Sequence, residues 1–381
     1  MNDFKSGEIY RQLQKVIPPI DQAHTLPPAC YTDPAFFQQE MKAVFHTSWI
    51  GLGRADRWPS PGDYSTMDIA GVPTMVIRDK SGKLRAFANS CRHRGMQLLE
   101  GEGNAPSITC PYHAWVYAPE GNLMAAPTMQ KTCGFDKLDY GLHPFRVATQ
   151  DGLVFLCMDD SAPELSGWLG DFPQLHAQWS MADLVTARRT EFEAACNWKS
   201  YIEVFNEYYH LPAVHPDSLT HMYDKPDAAD RVSGNYTTQF GTTQGTPALL
   251  DDAKNCVLPM IKTLCDRNLK GTRYTWVYPN LTFAASVESV WMFDVYPLSP
   301  GRCKVGVTIC FTPEAMKLPD YESRAEKYFE RFDTAIAEDL PVLERQAIGL
   351  NSPFAKPGRF SCLEPSVANF ACWYAAKLGV N

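Results

Sequence analysis

Between residues 45 and 160, short apolar runs alternate with turn-forming residues. Pro-Gly, Ser-Gly and Glu-Gly pairs separate several of these runs. The runs are 49–53, 71–78, 84–88, 116–118 and 153–158. Short apolar runs bounded by glycine or proline are typical of strands joined by tight turns. This pattern predicts a small antiparallel β module.

The pattern changes after residue 160, where longer elements are expected. Residues 197–210 predict a helix that follows a strand, and 320–350 predict a long helix with a charged side. Pro341 should kink this long helix or end its first half. Further strands are predicted at 236–245, 274–278, 282–285, 290–296 and 304–311.

These elements predict an α+β protein of two units. A small antiparallel β domain is placed at residues 40–160, and residues 1–39 and 161–381 are expected to form a larger domain of antiparallel sheet covered by helices. The first 40 residues themselves predict a short helix followed by a loop. A chain of 381 residues is long enough for both units.

Composition restricts the possible classes of function. The net charge is −8 without any basic stripe, which argues against nucleic-acid binding. No apolar stretch of about 18 residues is present, and the N-terminal segment lacks the apolar core of a secretion signal. We therefore expect a cytoplasmic protein without a membrane span, in which most of the 12 cysteines are reduced and buried.

Two mixed pairs of cysteine and histidine lie inside the predicted β module. Cys91 and His93 form a C-x-H pair, and Cys110 and His113 form a C-x₂-H pair. Two such loops can hold two irons, one bound by both sulfurs and the other by both imidazoles. The alternative is a Cys₂His₂ zinc site, but there like ligands usually pair locally. The mixed pairs therefore favour a [2Fe–2S] cluster.

The residues around these pairs resemble the Rieske family. Its motifs C-x-H-R-G and C-P-Y-H-x-W are matched by residues 91–95 and 110–115. Respiratory-complex members usually carry two further loop cysteines, which neither loop has here. The resemblance therefore implies the ferredoxin or oxygenase type, with residues 40–160 as the Rieske domain.

A second group of candidate ligands lies beyond the β module. His210 and His215 stand five residues apart across a predicted helix end, with Pro212 between them, so they can converge on one ion. Two histidines and one carboxylate form the facial triad of non-haem iron sites. The stretch resembles the Rieske oxygenase pattern N-W-K…[D/E]-x-x-H-x₄-H-P. That resemblance implies Asp339 as the third ligand, with Glu338 and Glu344 as competitors on the same helix.

Glu207 precedes His210 by three residues and should share its helical face. It can hydrogen-bond a metal-bound imidazole and fix its orientation. In the oxygenase family an acidic residue here connects the Rieske histidine of a neighbouring subunit with the mononuclear iron. The alternative is an ordinary surface glutamate.

The resemblance implies a Rieske-type non-haem iron oxygenase alpha subunit. It would hold a [2Fe–2S] cluster and a mononuclear Fe(II), with residues 1–39 and 161–381 as the catalytic domain. It would use O2 and take electrons from NAD(P)H through a separate reductase with flavin and a plant-type [2Fe–2S] centre. Related enzymes are typically head-to-tail homotrimers, so a homotrimer acting on a small molecule is expected.

Glutamate at position 207 is similar to the subgroup that oxidises carnitine, choline and betaines, which implies N-demethylation or C–N cleavage of an N-methylated substrate. Aromatic residues can cage such a cation. The candidates are Tyr209, Tyr274, Trp276, Tyr278, Trp291, Phe293 and Tyr296, with Asp294 or Glu288 as acidic partners. The alternative for most of these aromatic residues is packing in the core. The alternatives are aromatic-ring hydroxylation, aryl-ether O-demethylation, an electron carrier without oxygenase activity, and a zinc-stabilised binding protein.

Overall fold

The computed structural model describes residues 7–223 and 226–380. The strands of the first half are β1 Ile50–Arg54, β2 Asp63–Ile69, β3 Val72–Arg78, β4 Leu84–Ala88, β5 Glu102–Asn104, β6 Ile108–Thr109, β7 Val116–Tyr117, β8 Leu123–Ala125, β9 Pro144–Gln150 and β10 Leu153–Cys157. Seven of them form an antiparallel sheet in the order β1-β10-β9-β4-β3-β2-β5, and β6-β7-β8 form a small second sheet. The predicted antiparallel module is confirmed.

Strands β2 and β9 were not anticipated from the sequence. Both are rich in polar residues, and most of their positions are only half-buried. Strands of this kind lack the apolar run on which the prediction depended. They extend the seven-stranded sheet; the first cysteine–histidine loop follows its strand β4, and the second joins β6 to β7 of the small sheet.

The second half of the chain contains a six-stranded antiparallel sheet in the order β11-β16-β15-β14-β13-β12. Its strands are β11 Val185–Ala194, β12 Tyr236–Thr242, β13 Gly271–Val277, β14 Leu281–Ala285, β15 Ser289–Ser299 and β16 Arg302–Phe311. Strands β13 to β15 are almost fully buried because both faces of the sheet are covered. The α+β fold predicted for this half is confirmed.

The helices of the protein are α1 Glu8–Leu13, α2 Ala29–Thr32, α3 Pro34–Glu40, α4 Leu165–Leu169, α5 Phe172–His176, α6 Trp198–Phe205, α7 Leu211–Val214, α8 Tyr321–Leu350 and α9 Pro365–Lys377. On one face of the six-stranded sheet, Trp291 and Phe293 pack in one core with residues of α6, α8 and α9. On the other face, Val290 and Met292 pack with residues of β10, α4 and α5. This alternation along β15 directs each side chain to its layer.

Three local predictions about helices need correction. The expected N-terminal loop contains α2 and α3, and the Asp33 side chain caps α3 by accepting from the backbone N–H groups of Ala35 and Phe36. Helix α6 ends at Phe205 rather than at residue 210, because the Asn206 amide donates back to the Ile202 carbonyl at 2.7 Å and the chain then turns. Helix α8 continues through Pro341, so an end there is excluded.

Among the described residues, no helix is long and apolar enough to cross a membrane. The domain limits at residues 40 and 160 remain predictions.

A buried asparagine connects the two large sheets. The Asn280 side chain accepts from the Gly51 N–H at 2.8 Å and donates to the Gly51 carbonyl at 2.9 Å. We expect Asn280→Ala to lower the free energy of unfolding by about 1–3 kcal/mol, because it leaves a buried N–H without an acceptor. Chemical denaturation measures this loss. Exposed Asn122→Ala serves as the control, and an equal effect of both changes would contradict the role of Asn280.

Candidate metal centres

The two cysteine–histidine loops are closed by their own backbone hydrogen bonds. In the first loop the Cys91 N–H donates to the Met96 carbonyl at 2.8 Å, and the Gly95 N–H donates to the Cys91 carbonyl at 2.9 Å. The Cys110 N–H donates in the same way to the Trp115 carbonyl at 2.8 Å. Gly95 has a φ of +72°, which glycine adopts without strain. The sequence motif therefore specifies a tight turn at this position.

The four candidate cluster ligands are divided by burial. Cys91 and Cys110 are 3% and 2% exposed, whereas His93 is exposed and its ring centre lies 4.6 Å from that of His113. The Tyr117 hydroxyl lies 3.3 Å from the Cys91 sulfur. Nδ1 of His113 is buried and has no hydrogen-bond partner among the described residues. Two buried thiols, two adjacent imidazoles and an unpartnered nitrogen fit a two-iron cluster at the surface of the module.

The second candidate centre is formed where the turns around α7 meet α8. His210 directly precedes the first residue of α7, and His215 directly follows its last residue. Asp339 lies on α8. Oδ1 of Asp339 is 3.1 Å from Nε2 of His215 and 3.7 Å from Nε2 of His210. One ligand atom from each residue lies within 4.8 Å of the other two. The three residues are thus brought together with the donor set of a facial triad.

Glu207 orients His210, but from a turn rather than from a shared helical face. The helix has already ended at Phe205, so the expectation of a common helical face was wrong. The Glu207 carboxylate instead accepts from the backbone N–H groups of Tyr209 and His210, and Oε1 lies 2.6 Å from Nδ1 of His210. This carboxylate therefore fixes the turn and the imidazole ring together.

Glu338 plays the corresponding part for His215. Its Oε2 lies 2.6 Å from Nδ1 of His215 and accepts a hydrogen bond from the Ser218 hydroxyl at 2.7 Å. From the sequence, Glu338 is only a competitor of Asp339, because the spacing on one helix does not reveal which neighbour each carboxylate meets. The other competitor, Glu344, is exposed. Each histidine thus has one carboxylate on Nδ1, and its Nε2 faces Asp339.

The electrostatics of this centre favour a cation. Burial by itself lowers the pKa of His215, but the carboxylates of Asp339 and Glu338 more than offset it and raise this pKa above its usual value. Oδ1 of Asp339 is buried, and its 3.1 Å contact with Nε2 of His215 does not have the geometry of a hydrogen bond. A metal ion at this point would satisfy the carboxylate and replace the proton, so metal binding should weaken as the pH falls.

A pocket adjoins this centre and has largely aromatic walls. Among its lining residues are Phe205, Tyr208, Tyr223, Tyr274, Trp291 and Arg331. The ring centre of Phe205 lies 5.4 Å from that of Tyr274 and 5.1 Å from that of Trp291. Tyr274 and Trp291 line this pocket, as the sequence predicted. The other four residues, Phe205, Tyr208, Tyr223 and Arg331, were not predicted. Their place in the pocket depends on tertiary packing and has no local signal.

The other aromatic candidates do not line this pocket. Tyr209 is 61% exposed, and Phe293 packs behind the pocket against Phe205. Trp276 stacks on Phe370 of α9 at 3.9 Å. The remaining two, Tyr278 and Tyr296, are buried in the core. Core packing, the alternative that the sequence left open, accounts for Trp276, Tyr278, Phe293 and Tyr296.

Neither acidic candidate reaches the pocket. Asp294 lies on the opposite face of β15 from Trp291 and forms a buried ion pair with Arg189 at 2.8 Å. Glu288 accepts a hydrogen bond from the Thr246 hydroxyl at 2.9 Å. Burial raises the pKa of Glu288 to about 7. Both carboxylates therefore serve the packing of the protein.

Two protein-family models match the chain. One describes a ring hydroxylating alpha subunit (catalytic domain) and matches residues 181–379. The other describes a Rieske [2Fe-2S] domain and matches residues 48–145. The first match contains His210, His215 and Asp339, and the second contains both cysteine–histidine loops.

Individual proteins resemble the chain over most of its length. The carnitine monooxygenase oxygenase subunit of Acinetobacter pittii is 37% identical, over 87% of this chain and 86% of that protein. The chloroplastic choline monooxygenase of Spinacia oleracea is 30% identical, over 95% of this chain and 80% of that protein. The crystal structure of the quaternary ammonium Rieske monooxygenase CntA with L-carnitine matches at a TM-score of 0.77, with 28% identity over 93% of this chain and 96% of that one.

The hydrogen bond that Glu338 accepts from His215 can be tested by measuring how tightly the protein binds Fe(II). We expect Glu338→Gln to weaken Fe(II) binding about 10- to 100-fold, because the amide holds the imidazole without a negative charge. Anaerobic titration of the metal-depleted protein with Fe(II) measures the affinity. Glu344→Gln, on the exposed side of the same helix, is the matched control and should bind like the wild type. Unchanged affinity in Glu338→Gln would contradict the role of this carboxylate.

Proposed function

The chain belongs to the family of Rieske-type ring-hydroxylating oxygenase alpha subunits, and on this basis we propose that it oxidises an N-methylated or quaternary ammonium compound. As a member of the family it is an enzyme that contains a Rieske [2Fe–2S] cluster and a non-haem iron. Enzymes of this family need O2 and a reductase and act on small molecules. The alternatives of an electron carrier and of a zinc-stabilised binding protein are therefore set aside.

The observation that carries the proposed iron site is the convergence of Nε2 of His210, Nε2 of His215 and Oδ1 of Asp339. We assign these three atoms as the iron ligands. Cys91, His93, Cys110 and His113 are the proposed cluster ligands, because both loops fit that group and lie within the matched Rieske segment. Glu207 and Glu338 are the proposed positioning residues of the two histidines.

When bound, the iron supplies the activation of O2 with electrons that reach it from the cluster. The contribution of the chain is to place the substrate and to exclude water beside the iron ligands. Phe205, Tyr274 and Trp291 provide aromatic surfaces within the same pocket. Such surfaces attract methylated ammonium groups by cation–π interaction.

The proposed reaction is hydroxylation of a carbon bound to nitrogen, followed by N-demethylation or C–N cleavage. Its support is the aromatic pocket, together with relatives whose names assign them carnitine or choline. Aromatic-ring hydroxylation is the second class that such walls could accommodate. No further feature of the described pocket favours it.

We also propose a homotrimer in which electrons pass between subunits. His93 is exposed. Glu207 is hydrogen-bonded to the His210 ring, and the nearby side chain of Tyr209 is exposed. Docking of the His93 surface of one subunit near Glu207 of the next would give a short path to the iron ligands. The electron donor would be a reductase with flavin and a plant-type [2Fe–2S] centre that takes electrons from NAD(P)H. A cytoplasmic location would keep the thiols of the chain reduced.

Oxygen uptake tests the proposed reaction. The iron-loaded protein with a reductase and NADH should consume O2 when carnitine or glycine betaine is added, and should release an aldehyde and an amine in equal amounts. We expect no comparable uptake with naphthalene or toluene. Uptake and hydroxylated product with these arenes, but with none of the ammonium compounds, would contradict the proposed function and establish ring hydroxylation instead.

A further inference from the structure

The substrate pocket contains a buried cation. Arg331 lies on α8 and is 2% exposed, yet it lines the same pocket as Asp339. Ala335 lies between them and also lines the pocket, so these residues recur every four positions and share one helical face. A step of eight residues along the helix separates Arg331 from Asp339 by about 12 Å. The pocket therefore has a cationic end at Arg331 and a metal-binding end at Asp339.

The Arg331 guanidinium is only partly satisfied by the protein. Its Nε donates to the Pro247 carbonyl at 2.6 Å, and Nη2 lies 3.4 Å from the Tyr223 hydroxyl. The guanidinium carbon of Arg331, Cζ, lies 5.3 Å from the ring centre of Trp291. No carboxylate forms an ion pair with Arg331 in the part of the chain that the structure describes, and Nη1 is buried without a hydrogen-bond partner there. Burying a cation without a counter-charge is costly unless a ligand supplies that charge.

Two more donors in the pocket lack an acceptor. The Tyr208 hydroxyl is buried, and so is the indole N–H of Trp291. Neither has a hydrogen-bond partner among the described residues, and both side chains line the pocket with Arg331. An indole N–H and a guanidinium can only donate. Three donors without acceptors among the described residues are therefore available to a ligand that is rich in acceptors.

We infer that Arg331 binds a carboxylate of the substrate, so that the substrate is a zwitterion carrying both a carboxylate and a methylated ammonium group. A carboxylate has two oxygens that accept charge-assisted hydrogen bonds from a guanidinium, and Tyr208 and Trp291 lie along the same pocket to donate to it. The ammonium group then lies towards Asp339, away from the positive charge of Arg331. This inference rests on the proposed function and narrows it to a class of substrate.

The same arrangement disfavours a substrate that is only a cation. Choline carries a hydroxyl in place of the carboxylate, so it leaves the guanidinium without a counter-charge and adds a second positive charge to the pocket. The loss of a charge-assisted hydrogen bond corresponds to about a 10- to 100-fold loss of affinity. The chain should therefore act on amino-acid betaines and discriminate against choline, although one of its relatives is named for choline.

A matched pair of substrates tests this inference. Carnitine and its methyl ester share the ammonium group and differ in the negative charge. We expect the wild type to bind carnitine about 10- to 100-fold more tightly than the ester, by anaerobic calorimetry and by KM. Arg331→Gln should raise KM and Kd for carnitine by the same factor and leave those for the ester nearly unchanged. Iron content and the melting temperature of the variant verify that its metal sites and fold remain.

Two further variants complete the experiment. Tyr208→Phe removes only a hydroxyl and should weaken carnitine binding less than Arg331→Gln does, while ester binding stays constant. This milder change tests the inference even if Arg331→Gln does not fold. Arg345→Gln, at an exposed arginine of the same helix, is the control and should leave both substrates unaffected.

The outcomes separate the inference from the proposed function. Equal use of carnitine, its ester and choline by the wild type, with unchanged ratios in Arg331→Gln and Tyr208→Phe, would overturn the inference and leave the proposed function standing. If no ammonium compound binds or supports O2 uptake, the proposed function is overturned and the inference falls with it. If benzoate supports O2 uptake that depends on Arg331 and carnitine supports none, the carboxylate contact stands. The inference that the substrate is a zwitterion is then overturned.

Discussion

The proposed iron centre depends on two hydrogen bonds that hold the outer nitrogens of its histidines. Glu207 and Glu338 each lie 2.6 Å from Nδ1 of His210 and His215, respectively. A proton held on Nδ1 leaves the lone pair on Nε2, which is the atom that faces Asp339 in both rings. Without these carboxylates, ring rotation and tautomer exchange would compete with metal binding. The geometry of the site is therefore set by residues outside the triad.

The fold brings these groups together with few elements. Helix α8 supplies Glu338 and Asp339 at the metal and Arg331 two turns earlier. The turns around α7 supply both histidines, and strands β13 and β15 supply the aromatic wall through Tyr274 and Trp291. Because the sheet is covered on both faces, this wall rests on a packed core. One rigid helix thus fixes the distance between the metal and the far end of the pocket.

The sequence could predict those parts of the site that are encoded locally. The cysteine–histidine pairs and the His210–His215 spacing follow from motifs whose turns close on themselves, so their geometry needs little of the rest of the chain. Arg331 was not predictable in this way, because its role depends on which carboxylates fail to reach it. Asp294 was misassigned because a one-residue step along β15 reverses the face of the sheet. Strands β2 and β9 escaped prediction because they lack apolar runs.

Iron content and electron paramagnetic resonance test whether one chain holds two separate metal centres. For protein purified without oxygen and then reduced, we expect about three irons per chain and the spectrum of a reduced Rieske cluster. Asp339→Asn should retain that spectrum and contain about two irons, since only the mononuclear ligand set is weakened. The same iron content in both proteins, or loss of the Rieske spectrum on changing Asp339 alone, would contradict two separate metal centres.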